Sequence, residues 1–203
     1  MLVHFLFIQI LDSLSLDAAV TIPDNFATAF WTLFDQLRLT FSSTIPKHGT
    51  TAPSPPSANT PILIYGAGAT SGQYAIQLLK LASYRNILAT ASPKHHEHLH
   101  TLGATHTFDY SSPSLMQDVE GAAGGKLPLI MDCVTAEGTL AITSKMIRSN
   151  GTVALLLPIK QGDKVTGDAD AEMMKLTDEK NPFPNTVTVI EVKTFTYQTV
   201  SDH

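Results

Sequence analysis

The sequence predicts an α/β fold of the Rossmann type, a doubly wound parallel sheet with helices on both faces. Three observations lead to this prediction: short apolar runs alternate with helical patterns from residue 61 onward, Pro61–Gln77 reads as strand, glycine turn and helix, and 43% of the 203 residues are apolar. Runs without polar alternation are typical of parallel strands whose two faces are both covered by helices. Right-handed crossovers between such strands then produce the doubly wound arrangement.

The chain divides into two predicted regions, an N-terminal segment over residues 1–60 and a Rossmann domain over residues 61–203. The apolar run Met1–Ile10 is too short to span a membrane and lacks a basic start, so we interpret it as a buried strand rather than a signal peptide. Helix signals cover Pro23–Leu39, where Pro and Asp suit the first turn. Proline and serine residues then predict a linker over Phe41–Thr60.

Strands and helices alternate through the second region, with bounds set by apolar runs, glycine stops and proline or serine starts. The predicted strands are Ile62–Tyr65, Asn86–Ala91, Thr105–Asp109, Leu127–Asp132, Thr152–Leu157 and Thr186–Lys193. The predicted helices are Ser71–Ser83, Pro93–Leu102, Ser112–Glu120 and Ala136–Ile147, the last ended by Asn150–Gly151. Before the last strand, Lys160–Pro184 is polar and predicts a loop with a helical turn near Ala169–Leu176.

The turn after the first strand resembles a nucleotide-binding loop in its spacing. Gly66 permits a tight turn, and Gly68 has no Cβ, so a pyrophosphate can approach the backbone there. The amides at the start of the following helix would face the anion, assisted by the helix dipole. The third position of the G-x-G-x-x-G pattern is Ser71, and the glycine follows one residue later at Gly72. We therefore predict a phosphate-binding turn that departs from the common pattern.

The end of the second strand favours NADP(H) over NAD(H). NAD-selective domains place an Asp or Glu there, about 20 residues after the glycine turn, to bind the ribose 2′-hydroxyl. This stretch has no carboxylate before Glu97, and it has Ser92, Lys94 and His95 instead. A hydroxyl, an ammonium and an imidazole suit a 2′-phosphate, which a carboxylate would repel. Alternatively, Ser92-Pro93 caps the next helix, and the two roles are compatible.

Composition argues against several other functions. The formal net charge of −5 argues against nucleic-acid binding, which needs a basic surface, and no stretch predicts a membrane span. A single cysteine, Cys133, allows no disulfide within the chain and predicts a reducing, cytoplasmic setting; we interpret its side chain as packing near the cofactor. The histidines at positions 95, 96, 98 and 100 lack converging Cys or Asp partners, so no metal site is predicted.

Four segments of the chain resemble the medium-chain dehydrogenase/reductase superfamily. Within it, they look like the fungal trans-acting enoyl reductases of polyketide pathways and their zinc-independent, quinone-reductase-like relatives. The matching segments are SLSLDAAVTIPDNFATAFWTLF (Ser13–Phe34), LIYGAGATSGQYAIQLLKLASY (Leu63–Tyr84), ATASPKHHEHLHTLGATHTFDY (Ala89–Tyr110) and IMDCVTAEGTL (Ile130–Leu140).

The resemblance implies cofactor roles for the matched positions and no catalytic side chain. The implied phosphate-binding turn is Gly68, Ala69, Thr70 and Ser71, and the implied 2′-phosphate loop is Ser92, Pro93, Lys94 and His95. Tyr110 would lie on the adenosine side of NADP(H), and the backbone of Leu156 and Leu157 would border the nicotinamide. The segment Ala27–Trp31 would face the nicotinamide and the substrate.

The activity that the resemblance implies is an NADPH-dependent enoyl reduction of an α,β-unsaturated polyketide thioester in fungal secondary metabolism. A polyketide synthase with a carrier-bound substrate would be the partner, and Thr186–Lys193 is expected to pair two copies in a homodimer. Relatives have a GroES-like domain before the segment that starts here near Ser13, so we expect a truncated chain with an incomplete cleft. Two alternatives stay open: a cofactor-binding protein without catalysis, and a quinone or alcohol reductase of the same superfamily.

Overall fold

The computed structural model describes residues 15–41, 53–162 and 173–193 of the chain. Its first element is helix α1 (Leu16–Phe30), which continues as a π-helical segment over Trp31–Gln36. The predicted buried strand near the N-terminus and most of the predicted linker lie outside the described residues.

Helix α1 begins before the proline that we predicted as its start. Pro23 lies inside the helix with an exposed side chain, so the predicted start is wrong. Proline is most common in a first turn, because it lacks an N–H and its ring crowds the preceding turn. The residues before it include Leu16 and Ala19, which have high helix propensity, and Ala19 is buried. Packing and propensity therefore extend the helix toward its N-terminus across the proline.

The Rossmann part alternates strands and helices as predicted, with differences in their bounds. The strands are β1 (Ile62–Tyr65), β2 (Ile87–Ala91), β3 (His106–Asp109), β4 (Leu127–Asp132), β5 (Ile147–Leu156), β6 (Ile159–Lys160), β7 (Met173–Met174) and β8 (Thr188–Val192). The helices are α2 (Thr70–Leu81), a 3₁₀ turn (Pro93–His95) that leads into α3 (His96–Leu102), α4 (Leu115–Ala123) and α5 (Glu137–Met146).

Six of these strands form one parallel sheet in the order β3-β2-β1-β4-β5-β8. Ile64 of β1 lies between Ala89 of β2 and Met131 of β4, which fixes the register at the centre of the sheet. The chain moves outward from β1 to β3, then crosses to the other side of β1 and moves outward again. This order is that of a Rossmann sheet, in which ligands bind at the carboxyl ends of the strands beside the reversal.

Helices cover both faces of the sheet, so the predicted doubly wound fold is confirmed. On one face, Ile62 and Ile64 share a core with buried side chains of α1, α2 and α3. On the other face, Leu63 and Tyr65 share a core with buried side chains of α4 and α5. Successive strand residues point to opposite faces, so every residue of β1 is buried. That double burial is the reason why the run shows no polar alternation.

The largest difference from the predicted bounds lies at the junction of α5 and β5. Helix α5 ends at Met146, and β5 starts directly at Ile147, which pairs with Leu127 of β4. The predicted helix end at Asn150–Gly151 is therefore wrong. Asn150 has a φ of 60° at an irregularity in the pairing of β4 with β5, and asparagine tolerates this left-handed conformation. The Asn-Gly pair thus marks a distortion within a strand.

A short antiparallel pair follows the fifth strand of the sheet. Strand β6 pairs with β7 through Ile159 with Met174 and Lys160 with Met173. The predicted helical turn near Ala169–Leu176 is wrong in its described part, because Met173 and Met174 form β7; residues 169–172 lie outside the described ranges. The predicted last strand is confirmed as β8, at one edge of the sheet. Pairing of two copies through this edge stays a prediction.

Candidate functional site

The glycine turn lies at the carboxyl end of β1 and is held by the neighbouring strand. The N–H of Gly66 donates to Thr90 Oγ1 at 2.9 Å, and the N–H of Ala67 donates to the Thr90 carbonyl at 2.8 Å. Gly66 has a φ of +75°, and a Cβ there would lie 2.3 Å from Val134 Cγ2. The tight turn therefore needs glycine for two reasons, backbone conformation and space.

Gly68 and Gly72 perform different tasks in this turn. A Cβ on Gly68 would lie 3.4 Å from His95 Cδ2, so the missing side chain keeps open the space between the turn and the end of β2. A Cβ on Gly72 would lie 2.8 Å from Ala67 Cα, so this glycine lets helix α2 pack against the turn backbone. Close helix–strand packing is the function of the third glycine in the dinucleotide-binding pattern. Gly72 performs it one residue later than the pattern specifies.

The start of α2 has the features of an anion site. The helix begins at Thr70 after an extended Ala69, and its first turn contains no acidic residue. The first N–H groups of a helix have no partner within the helix and lie at its positive end. Ser71 uses its hydroxyl to donate to Asn25 Oδ1 at 2.9 Å, which ties the turn to α1. Its predicted contact with phosphate would therefore come from its backbone N–H.

The predicted 2′-phosphate loop forms the 3₁₀ turn that follows β2. The N–H of His95 donates to the Ser92 carbonyl at 2.9 Å, which closes the turn. Ser92 occupies the capping position, yet its hydroxyl makes no capping hydrogen bond. Of the two roles that we kept open for Ser92, side-chain capping is thus not used. Lys94 is exposed beside His95.

Two adjoining cavities lie along this edge of the sheet. The first, of about 400 Å³, contains five of the predicted residues: Gly68, Ala69, Ser92, His95 and Tyr110. The second, of about 280 Å³, contains four: Ala69, Ser71, Leu156 and Leu157. Thr28, from the predicted segment Ala27–Trp31, also lines the second cavity. Thr70, Pro93 and Lys94 line neither cavity. Pockets for small ligands usually span about 300–1,000 Å³, so the pair together has a suitable size.

Residues that the sequence did not single out complete the two cavities. Val134 and Lys160 line both, and Asp24 and Asn25 line the second. Asp24, which the sequence predicts in the first turn of its helix, lies in the middle of α1 and lines the second cavity. Lys160 comes after Pro158 in a segment without a recognisable motif, so no sequence signal marked it.

A buried carboxylate organises the loop after β4. Asp132 is fully buried and accepts hydrogen bonds from the N–H groups of Val134 and Thr135 and from the Thr139 hydroxyl, each at 2.9 Å. Burial raises the pKa of Asp132 above its usual range, against the effect of these donors. Burial and the nearby Asp132 also raise the pKa of Tyr65 to about 12.

The same surroundings set the chemistry of Cys133, which lines both cavities. Burial, followed by the neighbouring Asp132, raises the pKa of its thiol well above the usual range. A neutral thiol is a poor nucleophile, because the thiolate is the reactive form. This electrostatic setting agrees with our interpretation of Cys133 as a packing residue beside the cofactor.

Replacing Asp132 by Ala is expected to lower the free energy of unfolding by about 3 kcal/mol, because the N–H groups of Val134 and Thr135 lose their acceptor and the buried Thr139 hydroxyl loses one of its two. Asp132→Asn keeps an oxygen for the two N–H groups and should cost less than about 1 kcal/mol. Urea unfolding of both variants measures the difference, and an equal loss in the two would contradict the prediction.

The pH dependence provides a second measure of Asp132. Because its folded pKa is raised, its contribution to stability is present below the usual carboxyl pKa and is lost as pH rises through the raised value. Asp132→Asn lacks this loss, so its stability relative to wild type should increase from acidic to neutral pH. A relative stability that does not change with pH would contradict the raised pKa.

The end of β3 forms the outer side of the first cavity. Asp109 accepts from the Ser111 N–H at 2.9 Å and from the Ser111 hydroxyl at 2.7 Å, and these bonds lower its pKa. Tyr110, next along the chain, lines the cavity and is 38% exposed. The carboxylate of Asp109, next to Tyr110 in sequence, thus accepts hydrogen bonds from the turn that follows it.

The histidines near α3 make local contacts. His96 Nε2 lies 3.1 Å from the Ala91 carbonyl, and His98 Nε2 lies 3.3 Å from Gln73 Oε1. Within the described ranges, no three His, Cys, Asp or Glu residues come together in a group that could hold a metal ion. None of the helices in the described part of the chain is long and apolar enough to cross a membrane.

Comparisons with known proteins agree on the family and on the fold. The family model described as zinc-binding dehydrogenase matches residues 72–177, just over half of the chain. A dual trans-enoyl reductase/FAD-dependent monooxygenase, tazHJ of Aspergillus terreus, is 35% identical over 156 residues, which are 76% of this chain and 21% of that protein. The trans-enoyl reductase iliB of a Neonectria species is 34% identical over 140 residues, 68% of this chain and 36% of that protein.

Solved structures share the architecture at lower sequence identity. The CurK enoyl reductase matches 96% of this chain and 49% of its own, with a TM-score of 0.65 and 19% identity. A quinone oxidoreductase from Pseudomonas syringae matches 95% of this chain and 51% of its own, with a TM-score of 0.64 and 21% identity. The chain thus spans about half of these structures and about a fifth to a third of the two curated relatives.

Proposed function

This chain belongs to the zinc-binding dehydrogenase family of the medium-chain dehydrogenase/reductase superfamily, and from that membership we propose that its Rossmann domain binds NADP(H) for an enoyl reduction. The single observation that carries the proposal is the glycine turn, which opens onto both cavities at the reversal point of the sheet.

The geometry of the turn fits a dinucleotide. Space left by the absent Cβ of Gly68 and the free N–H groups at the start of α2 suit a pyrophosphate. The first cavity, with Tyr110, would take the adenosine half. The second cavity, with Leu156 and Leu157, would take the nicotinamide half. This assignment would put the pyrophosphate between the two cavities, beside Ala69, which lines both.

Selectivity for the phosphorylated cofactor rests on the end of β2. The hydroxyl of Ser92 is not used in capping, and His95 lines the first cavity beside it. Lys94 is exposed next to them, where a long side chain can reach a 2′-phosphate. Asp109, on the adjacent strand, accepts both Ser111 hydrogen bonds on one carboxylate oxygen and lines neither cavity, which argues against a role as the ribose-binding carboxylate of NAD-selective domains.

The reaction that we propose is the reduction of an α,β-unsaturated thioester. When bound, NADPH would supply a hydride to the β-carbon of such a substrate, and a proton from solvent or a nearby donor would reach the α-carbon to complete the reduction. Leu156, Leu157 and the buried Thr28 would border the nicotinamide and restrict its orientation. The curated relatives are named trans-enoyl reductases, which supports this substrate class. A polyketide synthase, the partner that the sequence resemblance implies, would present the substrate.

Titration with NADPH tests the proposed cofactor binding, and an assay of NADPH consumption tests the proposed reaction. We expect purified protein to shift the fluorescence of NADPH on binding, and to consume NADPH with enoyl thioesters but not with the matched saturated thioesters. Failure to bind NADPH or NADH would overturn the proposal altogether. Binding without consumption across a panel of enoyl thioesters and quinones would support a cofactor-binding protein without catalysis and overturn the proposed reaction.

A further inference from the structure

Lys160 lies at the junction of the two cavities. It belongs to β6, directly after the strand that carries Leu156, and it lines both cavities. The other residues that line both are Ala69, Cys133 and Val134. Ala69 immediately precedes helix α2, so Lys160 lines the same junction as the start of that helix.

The backbone of Lys160 is fixed at this place from two sides. Its N–H donates to the Thr135 carbonyl at 2.9 Å as part of a bridge with Ala136, and it pairs with Met173 of β7. Thr135 is held in turn by its hydrogen bonds to Asp132. The half-buried Lys160 side chain therefore starts from a backbone position that the buried loop after β4 determines.

Charge distinguishes Lys160 from its neighbours at the junction. Among the described residues that line either cavity, it is the one lysine or arginine. Asp24 brings a carboxylate to the wall of the second cavity, which would repel an anion there. The helix start alone supplies only about half an elementary charge, whereas a dinucleotide pyrophosphate carries about two negative charges. A cation at the junction would offset part of the remaining charge.

We propose that Lys160 is a cofactor-binding residue whose ammonium pairs with the pyrophosphate of the bound dinucleotide. This inference rests on the proposed function, since it takes the adenosine half to the first cavity and the nicotinamide half to the second. The pyrophosphate then lies at their junction, beside Lys160. NADP(H) and NAD(H) share this group, so Lys160 contributes to the affinity for both and not to the choice between them.

Calorimetric titration of Lys160→Gln tests whether Lys160 contacts the pyrophosphate and not another part of the cofactor. We expect Lys160→Gln to weaken NADPH, NADH and ADP-ribose about tenfold each, because each loses a charge-assisted contact to its pyrophosphate. Adenosine 2′-monophosphate has no pyrophosphate and should bind both proteins equally. Lys160→Arg should retain most of the affinity, and added salt should reduce the difference between wild type and Lys160→Gln.

The outcomes distinguish this inference from the function on which it rests. Wild-type protein that binds none of the dinucleotides overturns both. Wild-type binding of ADP-ribose that Lys160→Gln leaves unchanged overturns the role of Lys160 alone. An equal loss of adenosine 2′-monophosphate would show a general change of the cavity and would also overturn it. Lys126→Gln is the control, because it removes the same charge from the amino end of β4, away from the cavities at the carboxyl ends of the strands. This variant should bind every probe as wild type does.

Discussion

Lys94→Glu is expected to weaken NADPH binding by about a hundredfold while it changes NADH binding by less than about threefold. The substitution exchanges an ammonium for a carboxylate beside Ser92 and His95, where the 2′-phosphate of NADPH would lie. NADH has a hydroxyl at that position, so it loses no ion pair and at most gains a hydrogen bond to the new carboxylate. Fluorescence titration of both cofactors measures the ratio of the two dissociation constants.

A distant lysine provides the control for this charge reversal. Lys126 precedes β4 at its amino end, whereas the cavities lie at the carboxyl ends of the strands. Lys126→Glu changes the net charge by the same amount and should weaken NADPH by less than about twofold at physiological salt. Equal effects of Lys94→Glu on NADPH and NADH would remove Lys94 from the proposed 2′-phosphate site.

Gly72→Ala is expected to lower the free energy of unfolding by about 3 kcal/mol. The new Cβ would lie 2.8 Å from Ala67 Cα, and both positions are buried. A backbone atom cannot rotate away as a side chain does, so helix α2 must move from the turn. The same movement displaces the N–H groups at Thr70 and Ser71, and cofactor affinity should fall with stability. Urea unfolding and NADPH titration of one sample check both effects.

Gly121 provides the matched glycine for this comparison. It lies in helix α4, and a Cβ there would meet nothing within 4 Å. Gly121→Ala should therefore raise stability by about 0.5 kcal/mol, since alanine loses less backbone freedom than glycine on helix formation. Loss of stability at Gly121 as large as that at Gly72 would show that the effect does not come from close packing of α2.

The sequence was sufficient to predict the fold because its strands are buried on both faces. An unbroken apolar run such as Ile62–Tyr65 indicates a strand that is buried on both faces. When such strands alternate with helices, few sheet topologies are possible. The ends of helices and strands were predicted less well, because a single residue type can occur in more than one kind of backbone position. Pro23 suits a first turn yet lies inside α1, and Asn150 suits a helix end yet lies within β5.

The candidate site was predicted where it follows from strand ends and missed where tertiary packing supplies the residue. Ser92 and Tyr110 come directly after β2 and β3, so the topology alone brings them to one edge of the sheet. Lys160 reaches the junction because β6 turns back against the loop after β4, a contact without a local sequence signal. Asp24 lines the second cavity because α1 packs beside the start of α2, where Asn25 accepts from the Ser71 hydroxyl.

The protonated state of Cys133 has a consequence for how the domain would respond to oxidants. Peroxides and disulfides react with the thiolate, and burial together with Asp132 keeps this sulfur in the thiol form. Cys133 is the only cysteine of the chain and lines both cavities, so its oxidation would introduce a bulky polar group beside the turn. A slow reaction there would leave the cofactor cleft intact during oxidative stress, without repair by cellular reductants.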